Sequence, residues 1–302
     1  MAEHLAPVAY YFQVHLLYAS IVWLAALALT STRQGSATTK YWIWLACSLN
    51  FIVPVGAIAD ALWAPHLRWA RPFGVLGEFG LGIARCATPV AAAWLVGACV
   101  MLTRLLLRIR SERRRTPLPL EHGSPADGIP VRFCARDEPP AVEGVLRPRI
   151  ALPRGIDQLL TDSEFSAVLI HELAHAKRRD NLWRLVHEAV LCLLWFFPLV
   201  WIAGRRLALY REISCDEAVI RRGRARDLVS ALAKLSAPEK VPLLSATASS
   251  LMGDRLARLT TDEPPRTRLA ASALLVALFV GTLAACVLGT VAHTACCFAT
   301  RL

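Results

Sequence analysis

No Cys-x-x-Cys pair occurs among the nine cysteines of this 302-residue chain, which argues against both a thiolate zinc site and a disulfide framework. Cys47, Cys86, Cys99, Cys192 and Cys286 stand in apolar runs, where cysteine serves as a small hydrophobe. Charge is scarce as well: 19% of residues are charged and 55% are apolar. So apolar a chain carries more oily surface than one globular core covers, and membrane lipid is the expected solvent for the excess. The start, Met1-Ala-Glu-His, lacks the basic region and small-residue cleavage site of a signal peptide, so the first apolar segment is expected to persist as an anchor. No internal repeat is present. Despite a net charge of +11, no recognition motif for nucleic acid accompanies it, so no direct nucleic-acid partner is expected.

What is present is a set of long apolar runs. Residues 8–30, 41–63, 87–107 and 269–292 each reach the roughly 20 residues that a helix needs to cross a bilayer. The last holds no charged residue, whereas the second contains Asn50, Pro54 and Asp60. The N-terminal flank has no Lys or Arg, but Arg104, Arg108, Arg110, Arg113, Arg114 and Arg115 crowd the end of the third run. Arg255, Arg258, Arg266 and Arg268 precede the fourth. Such residues flank membrane spans on the cytoplasmic side. The expectation is an N-terminus outside and three spans within residues 1–107, then a linker over 108–128. A cytoplasmic domain over 129–268, a fourth span over 269–292 and an external tail over 293–302 complete it. The protein is then multi-pass in the cell membrane. A fifth run, 186–203, has 18 residues with Glu188 near its start and Pro198 inside it. It is expected not to cross fully, because it is short for a span and proline breaks the helical ladder.

Within the cytoplasmic part, 113–128 is rich in Pro, Gly and charge and reads as linker. Residues 129–135, 141–146 and 149–152 are short strand-like runs. Thr161-Asp-Ser-Glu164 matches a capping box, so a helix should start there and run to about Arg179. Further helices are expected over 204–222 and 225–236. The fold class is α+β: a small sheet followed by helices, carried on four transmembrane helices.

His171-Glu172-Leu-Ala-His175 is the informative motif. Residues four apart share a helical face, so both imidazoles can converge on one ion. Glu172 is about 100° further round, where it can act as general base on a water polarised by the metal without ligating it. A random chain of this composition holds the pattern about 0.01 times. A catalytic zinc takes three protein ligands, and Glu212 is the candidate third, with Asp216 four residues on to orient a ligand histidine through its other ring nitrogen. Cys215 is an alternative ligand, less suited to hydrolysis than a carboxylate. One complete crossing by 186–203 would part His175 from Glu212 by about 30 Å, whereas ligands of one zinc lie about 2 Å from it. The run Gly144–Pro153 is read as an edge strand for an extended substrate, with Gly144, Val145, Leu146, Ile150 and Leu152 in contact. Asp180 is a buttress of the active helix, and His15 and His187 are read as packed histidines.

Taken with Ile150-Ala-Leu-Pro153, Val168 to His175, Arg179-Asp180-Asn181-Leu-Trp183, Trp195 to Trp201 and Glu212 to Asp216, the chain resembles the BlaR/MecR-type antirepressor membrane metallopeptidases. The resemblance implies a gluzincin-like site, with zinc on His171, His175 and Glu212 and with Glu172 catalytic. It also implies a zincin-like cytoplasmic domain, a cytoplasmic protein substrate that is typically a transcriptional repressor, and self-cleavage, for which residues 245–265 offer a segment within reach. Sensors of the family carry an extracellular antibiotic-binding domain after the last span. Here only residues 293–302 follow and no Ser-x-x-Lys occurs, so β-lactam sensing by this polypeptide is not expected. Two other readings stand beside this one: an HtpX-like quality-control protease of membrane proteins, and a non-catalytic membrane scaffold. Oligomeric state is left open, a homo-oligomer included.

Overall fold

The computed structural model describes residues 2–32, 35–53, 87–114, 122–134 and 138–235, together with 253, 255–256, 259, 270, 272–281 and 284. Apolar helices come first: α1 (Ala2–Ser31), α2 (Ala37–Asn50) and α3 (Ala87–Arg114). Among the described residues one helix, Pro89–Ser111, is long and apolar enough to cross a membrane. His15–Ser31 and Ser272–Gly281 are shorter apolar helices. Residues 54–63 of the second expected span and half of 269–292 lie outside the described residues.

A four-stranded sheet follows, built from β1 (His122–Ala126), β2 (Ile129–Cys134), β3 (Ala141–Glu143) and β4 (Arg149–Pro153) in the order β1-β2-β4-β3. β1 takes up part of the segment read as linker: it pairs antiparallel with β2 across the Asp127-Gly128 turn, where both residues have positive φ. β2 and β4 are parallel, and β3 pairs antiparallel with β4. β4 is therefore interior to the sheet, hydrogen-bonded on both sides, with Ile150 and Leu152 fully buried. This corrects the expected edge strand. Gly144, Val145 and Leu146 are not strand either. They form a bend after β3, which Gly144 makes with φ +82, where a Cβ would meet the Arg147 carbonyl oxygen at 2.5 Å.

The remaining helices are α4 (Ile156–Leu159), α5 (Asp162–Arg178), α6 (Asp180–Leu193), α7 (Pro198–Ile220) and α8 (Ala225–Leu235). The capping box expected at Thr161 forms: the Glu164 amide donates to Thr161 Oγ1 at 3.3 Å and the Thr161 amide to Glu164 Oε2 at 2.8 Å. Glu164 also accepts from Ser230 Oγ at 2.5 Å and Lys234 Nζ at 2.6 Å, clamping the start of α5 to α8. The 186–203 run divides at residues 194–197, and Pro198 opens α7, where its missing amide hydrogen costs nothing. Trp94 Nε1 donates to the Leu193 carbonyl at 2.7 Å and Trp195 Nε1 to the Trp94 carbonyl at 3.3 Å. That docking against α3 requires glycine at 97, because a Cβ there would stand 2.1 Å from the Trp195 ring.

Two cores result. One gathers α1, α2, α6 and α7 with Leu275 and Phe279. The other packs β2 and β4 on α5, α8, Val219 of α7 and Leu259. At 1.5 Å per residue the 23-residue α7 is about 34 Å long, enough to enter both. His15 is buried with Nε2 3.2 Å from the Phe51 carbonyl oxygen, and His187 with Nδ1 2.6 Å from Ser48 Oγ. Both are packed, as expected.

Lys234 foremost, with Ser230 and the Thr161 amide, holds the Glu164 carboxyl down at about 2 from an ordinary 4.5. Its stabilisation is complete above pH 4.5 and is lost as pH falls towards 2. Thermal unfolding in detergent should therefore show wild type losing more stability over that interval than Glu164→Gln; parallel losses would remove this clamp from the stability of α5.

Candidate metal centre

Two residues on one helix begin the site. α5 places His171 and His175 one turn apart, with Nε2 atoms 3.1 Å from each other. Glu212 enters from the middle of α7, its Oε2 3.7 Å from His171 Nε2 and 3.8 Å from His175 Nε2. Three atoms at about 2.0–2.2 Å from one ion in tetrahedral directions lie roughly 3.3–3.5 Å apart, so this trio fits a single small divalent cation. Buried Glu172 stands outside the trio. The 186–203 run doubles back, so that Glu212 meets both histidines.

An acid stands beside each of the other ring nitrogens. His171 Nδ1 lies 3.1 Å from Asp216 Oδ1, and His175 Nδ1 lies 2.6 Å from Asp180 Oδ2. Both carboxylates are almost fully buried. With Nδ1 facing a carboxylate, each imidazole is left with Nε2 free to hold an ion and would gain basicity there. Asp180 arrives in place because Arg179 takes a left-handed conformation, φ 58, between α5 and α6. A non-glycine residue there carries backbone strain of about 1–2 kcal/mol, which the surrounding contacts hold.

Arg178 forks Asp180, Nε to Oδ1 and Nη2 to Oδ2 at 2.6 Å each. It also reaches Ser214 and the Arg211 carbonyl on α7, and its guanidinium stacks 4.6 Å from the Tyr41 ring of α2. Arg255 forks Asp216 in the same way. Burial alone would raise the Asp180 and Asp216 carboxyls. The histidine and arginine beside each outweigh it and hold them below the ordinary carboxylate range. Glu212 is likewise held well below, because His171, His175 and Arg211 overcome its burial. Against burial, Asp216 and Glu212 push His171 up to about 9.

Cys215 belongs to a second close grouping with His175 and Asp180. Burial raises its thiol pKa, and Arg178 Nη2 contacts Sγ at 3.3 Å. A buried, protonated thiol is a poor ligand, which favours Glu212. Reasoning from sequence missed Arg178 and Arg255; the Asp180 buttress is seen in full as the partner of His175. Of the expected substrate contacts, Ile150 and Leu152 are sealed in the sheet interior. The outer carbonyls of Val142 and Gly144 instead accept from Asn181 Nδ2 at 2.7 and 3.2 Å.

Two histidines and one carboxylate on crossing helices, with a further carboxylate beside each histidine, form a donor set that can hold one small divalent ion, of the kind metallopeptidases use. The comparisons agree. Residues 82–261 match the family described as BlaR1 peptidase M56, and the chain belongs to it. It is 31% identical over 183 residues to the regulatory protein BlaR1 of Bacillus licheniformis, covering 52% of this chain and 28% of that protein. It is 25% identical over 93 residues to the methicillin resistance mecR1 protein of Staphylococcus aureus, covering 31% of this chain and 16% of that one. The mecR1 protein of Staphylococcus epidermidis aligns over the same shares. The chain thus spans less than a third of the length of these curated relatives.

Replacing Asp180 or Asp216 by Asn should weaken zinc binding roughly 10–100-fold, and Glu212→Ala should abolish it at micromolar metal. Competition with a chromophoric chelator measures both. Stoichiometric zinc retained by Glu212→Ala would take that residue out of the ligand set.

Proposed function

We propose that the chain is a membrane zinc endopeptidase that cuts a cytoplasmic protein, a transcriptional repressor in the first instance, and also cuts itself. The observation that carries this is the convergence of His171 Nε2, His175 Nε2 and Glu212 Oε2 within 4 Å, each imidazole backed by a buried aspartate. A divalent ion held there supplies Lewis-acid polarisation of the scissile carbonyl and of the attacking water.

The chain's own residues do the rest. Glu172 takes the proton from the water and passes it to the departing amine. Asp216 and Asp180 keep the two imidazoles fixed, so the ion and Glu172 hold one relative position through turnover. The surrounding bundle and sheet cores limit water at the site, which strengthens these charge interactions. The repressor as substrate, self-cleavage within residues 245–265 and the four-span topology follow from the family resemblance and from the arginine-rich flanks. The BlaR1 and mecR1 names support the regulatory reading for this chain.

Glu172→Gln should keep about one zinc per chain yet lose peptide cleavage, because the base is not a ligand. New protein N-termini in cells expressing wild type or Glu172→Gln then identify the substrate. One dominant cut regulator, together with a cut in this chain's own cytoplasmic part, is the expected result. Scattered fragments of many membrane proteins would favour quality control, and no difference between the strains would favour a scaffold.

The topology has its own test. Lys177 and Arg222 are exposed on either side of the 186–203 run. Single cysteines at these positions, in an otherwise cysteine-free chain, should react with an impermeant reagent only from the cytoplasmic face. Labelling from opposite faces would overturn both the topology and the zinc assignment.

A further inference from the structure

Asp216 is 1% exposed, and a carboxylate so buried needs strong donors. His171 Nδ1 faces only one of its oxygens. The others come from Arg255, whose Nε donates to Asp216 Oδ2 at 2.8 Å and Nη2 to Oδ1 at 2.9 Å. The third guanidinium nitrogen, Nη1, lies 3.5 Å from Glu212 Oε2, the same oxygen that faces both histidines. One nearly buried guanidinium therefore bridges the acid that orients His171 and the acid that faces the ion. Arg178 does the first of these jobs for Asp180 and His175, so the centre contains two His–Asp–Arg chains.

The two arginines differ in origin. Arg178 belongs to α5 itself, whereas Arg255 lies 39 residues beyond Asp216. Leu259, four residues further and 1% exposed, anchors this part of the chain in the core that also holds Val219 and Leu228. Arg255 and Leu259 are each helical, and the guanidinium of Arg255 lies against Asp216 and Glu212.

On the zinc reading above, we propose that Arg255 is a positioning residue of the metal centre: by forking Asp216 and reaching Glu212 it fixes the oxygens that hold and orient the ion, without touching the ion itself. A lysine delivers a point charge but no planar fork, so the fork geometry is what the site uses. An arginine that merely pinned this stretch of chain would affect folding stability. It would not alter the electronic structure of a bound metal or couple to Asp216.

The experiment uses the full chain in detergent, metal-stripped and refilled with zinc or cobalt(II), in wild type, Arg255→Met, Arg255→Lys, Asp216→Asn and the Arg255→Met/Asp216→Asn double variant. Zinc affinity should fall roughly 10–100-fold in Arg255→Met, with Arg255→Lys between it and wild type. The cobalt(II) visible bands should shift in both. The double variant should lose clearly less than the product of the two single losses, since Arg255 and Asp216 act in part through one shared contact and are then non-additive. Zinc affinity within twofold of wild type and an unchanged cobalt spectrum in Arg255→Met would overturn the proposal, as would losses that multiply in the double variant. Thermal unfolding of the metal-free chains checks folding. If Arg255→Met does not fold, the Arg255→Lys spectrum and affinity decide in the same way: shifted and weakened supports the proposal, unchanged overturns it. A wild-type chain that binds no zinc at all would instead overturn the metal reading on which this rests.

Discussion

Bringing a carboxylate oxygen of Glu212 within 4 Å of two imidazole nitrogens that lie at least 37 residues earlier obliges the apolar chain between them to double back. Most of the architecture follows. α6 has 14 residues, about 21 Å, too short for a bilayer crossing. The turn after it is tied to α3 through Trp94, Trp195 and the space left at Gly97. The return helix α7 is long because it has two tasks: its first half fills the bundle core, and its second half delivers Glu212 and Asp216 and ends in the sheet-side core. A Cβ on Gly204 would stand 2.4 Å from His187 Nε2, so glycine there lets α6 and α7 approach closely. The metal centre sits where the two cores meet.

That location creates an electrostatic problem. Buried Glu172, Asp180 and Asp216 and half-buried Glu212 gather around two histidines, and buried acids without partners are strongly destabilising. The answer is a guanidinium on each orienting aspartate, with Arg211 Nε 3.2 Å from Glu212 Oε1 as a third. Arginine suits this better than lysine because its fork satisfies both oxygens of a carboxylate at once. Arg178 ties the centre to α7 through Ser214 and Arg211 and to α2 through Tyr41. Glu217, beside Asp216, accepts from the Ala37 amide at the start of α2 at 3.0 Å. α2 is therefore linked to the candidate metal centre by charge as well as by apolar packing.

Local signals made much of this legible in the sequence. The capping box at Thr161, the i,i+4 spacings of His171/His175 and Glu212/Asp216, and the strand runs around 129–152 are all set within a few residues. The strands at 129–134 and 149–153 and the helices at 162–178 and 225–235 formed close to their expected bounds, whereas the strand expected over 141–146 stops at Glu143 and the helix expected from 204 begins at Pro198. The interruption before Pro198 was foreseen because two independent constraints, proline chemistry and ligand distance, pointed the same way. What failed was pairing. Nothing in Arg149–Pro153 says that β4 lies between β2 and β3, so Ile150 and Leu152 were taken for an accessible edge when they are interior. β1 escaped notice because His122-Gly-Ser-Pro-Ala126 has the composition of a loop, and only its partner β2 makes it a strand. Arg255 was legible only as one of several basic residues before an apolar run, since its role depends on a carboxylate 39 residues away.

The same charges bear on whether the centre works or merely persists. A protein that needed this fold only as a scaffold would be as stable, or more so, with the buried acids and arginines replaced by apolar side chains of similar volume, because desolvating ion pairs consumes most of what their attraction returns. The Arg179 backbone adds strain in the same place. Both features are accounted for if the centre must hold an ion and a base in one fixed relation, which packing alone cannot supply. Asp180 and Asp216 would then serve no purpose in an apolar seam, yet each is directed at the one ring nitrogen that leaves Nε2 turned towards Glu212. The cost is concentrated where a hydrolytic site needs it, and it is this distribution of buried charge, together with the motif itself, that favours a working peptidase over an inert relative.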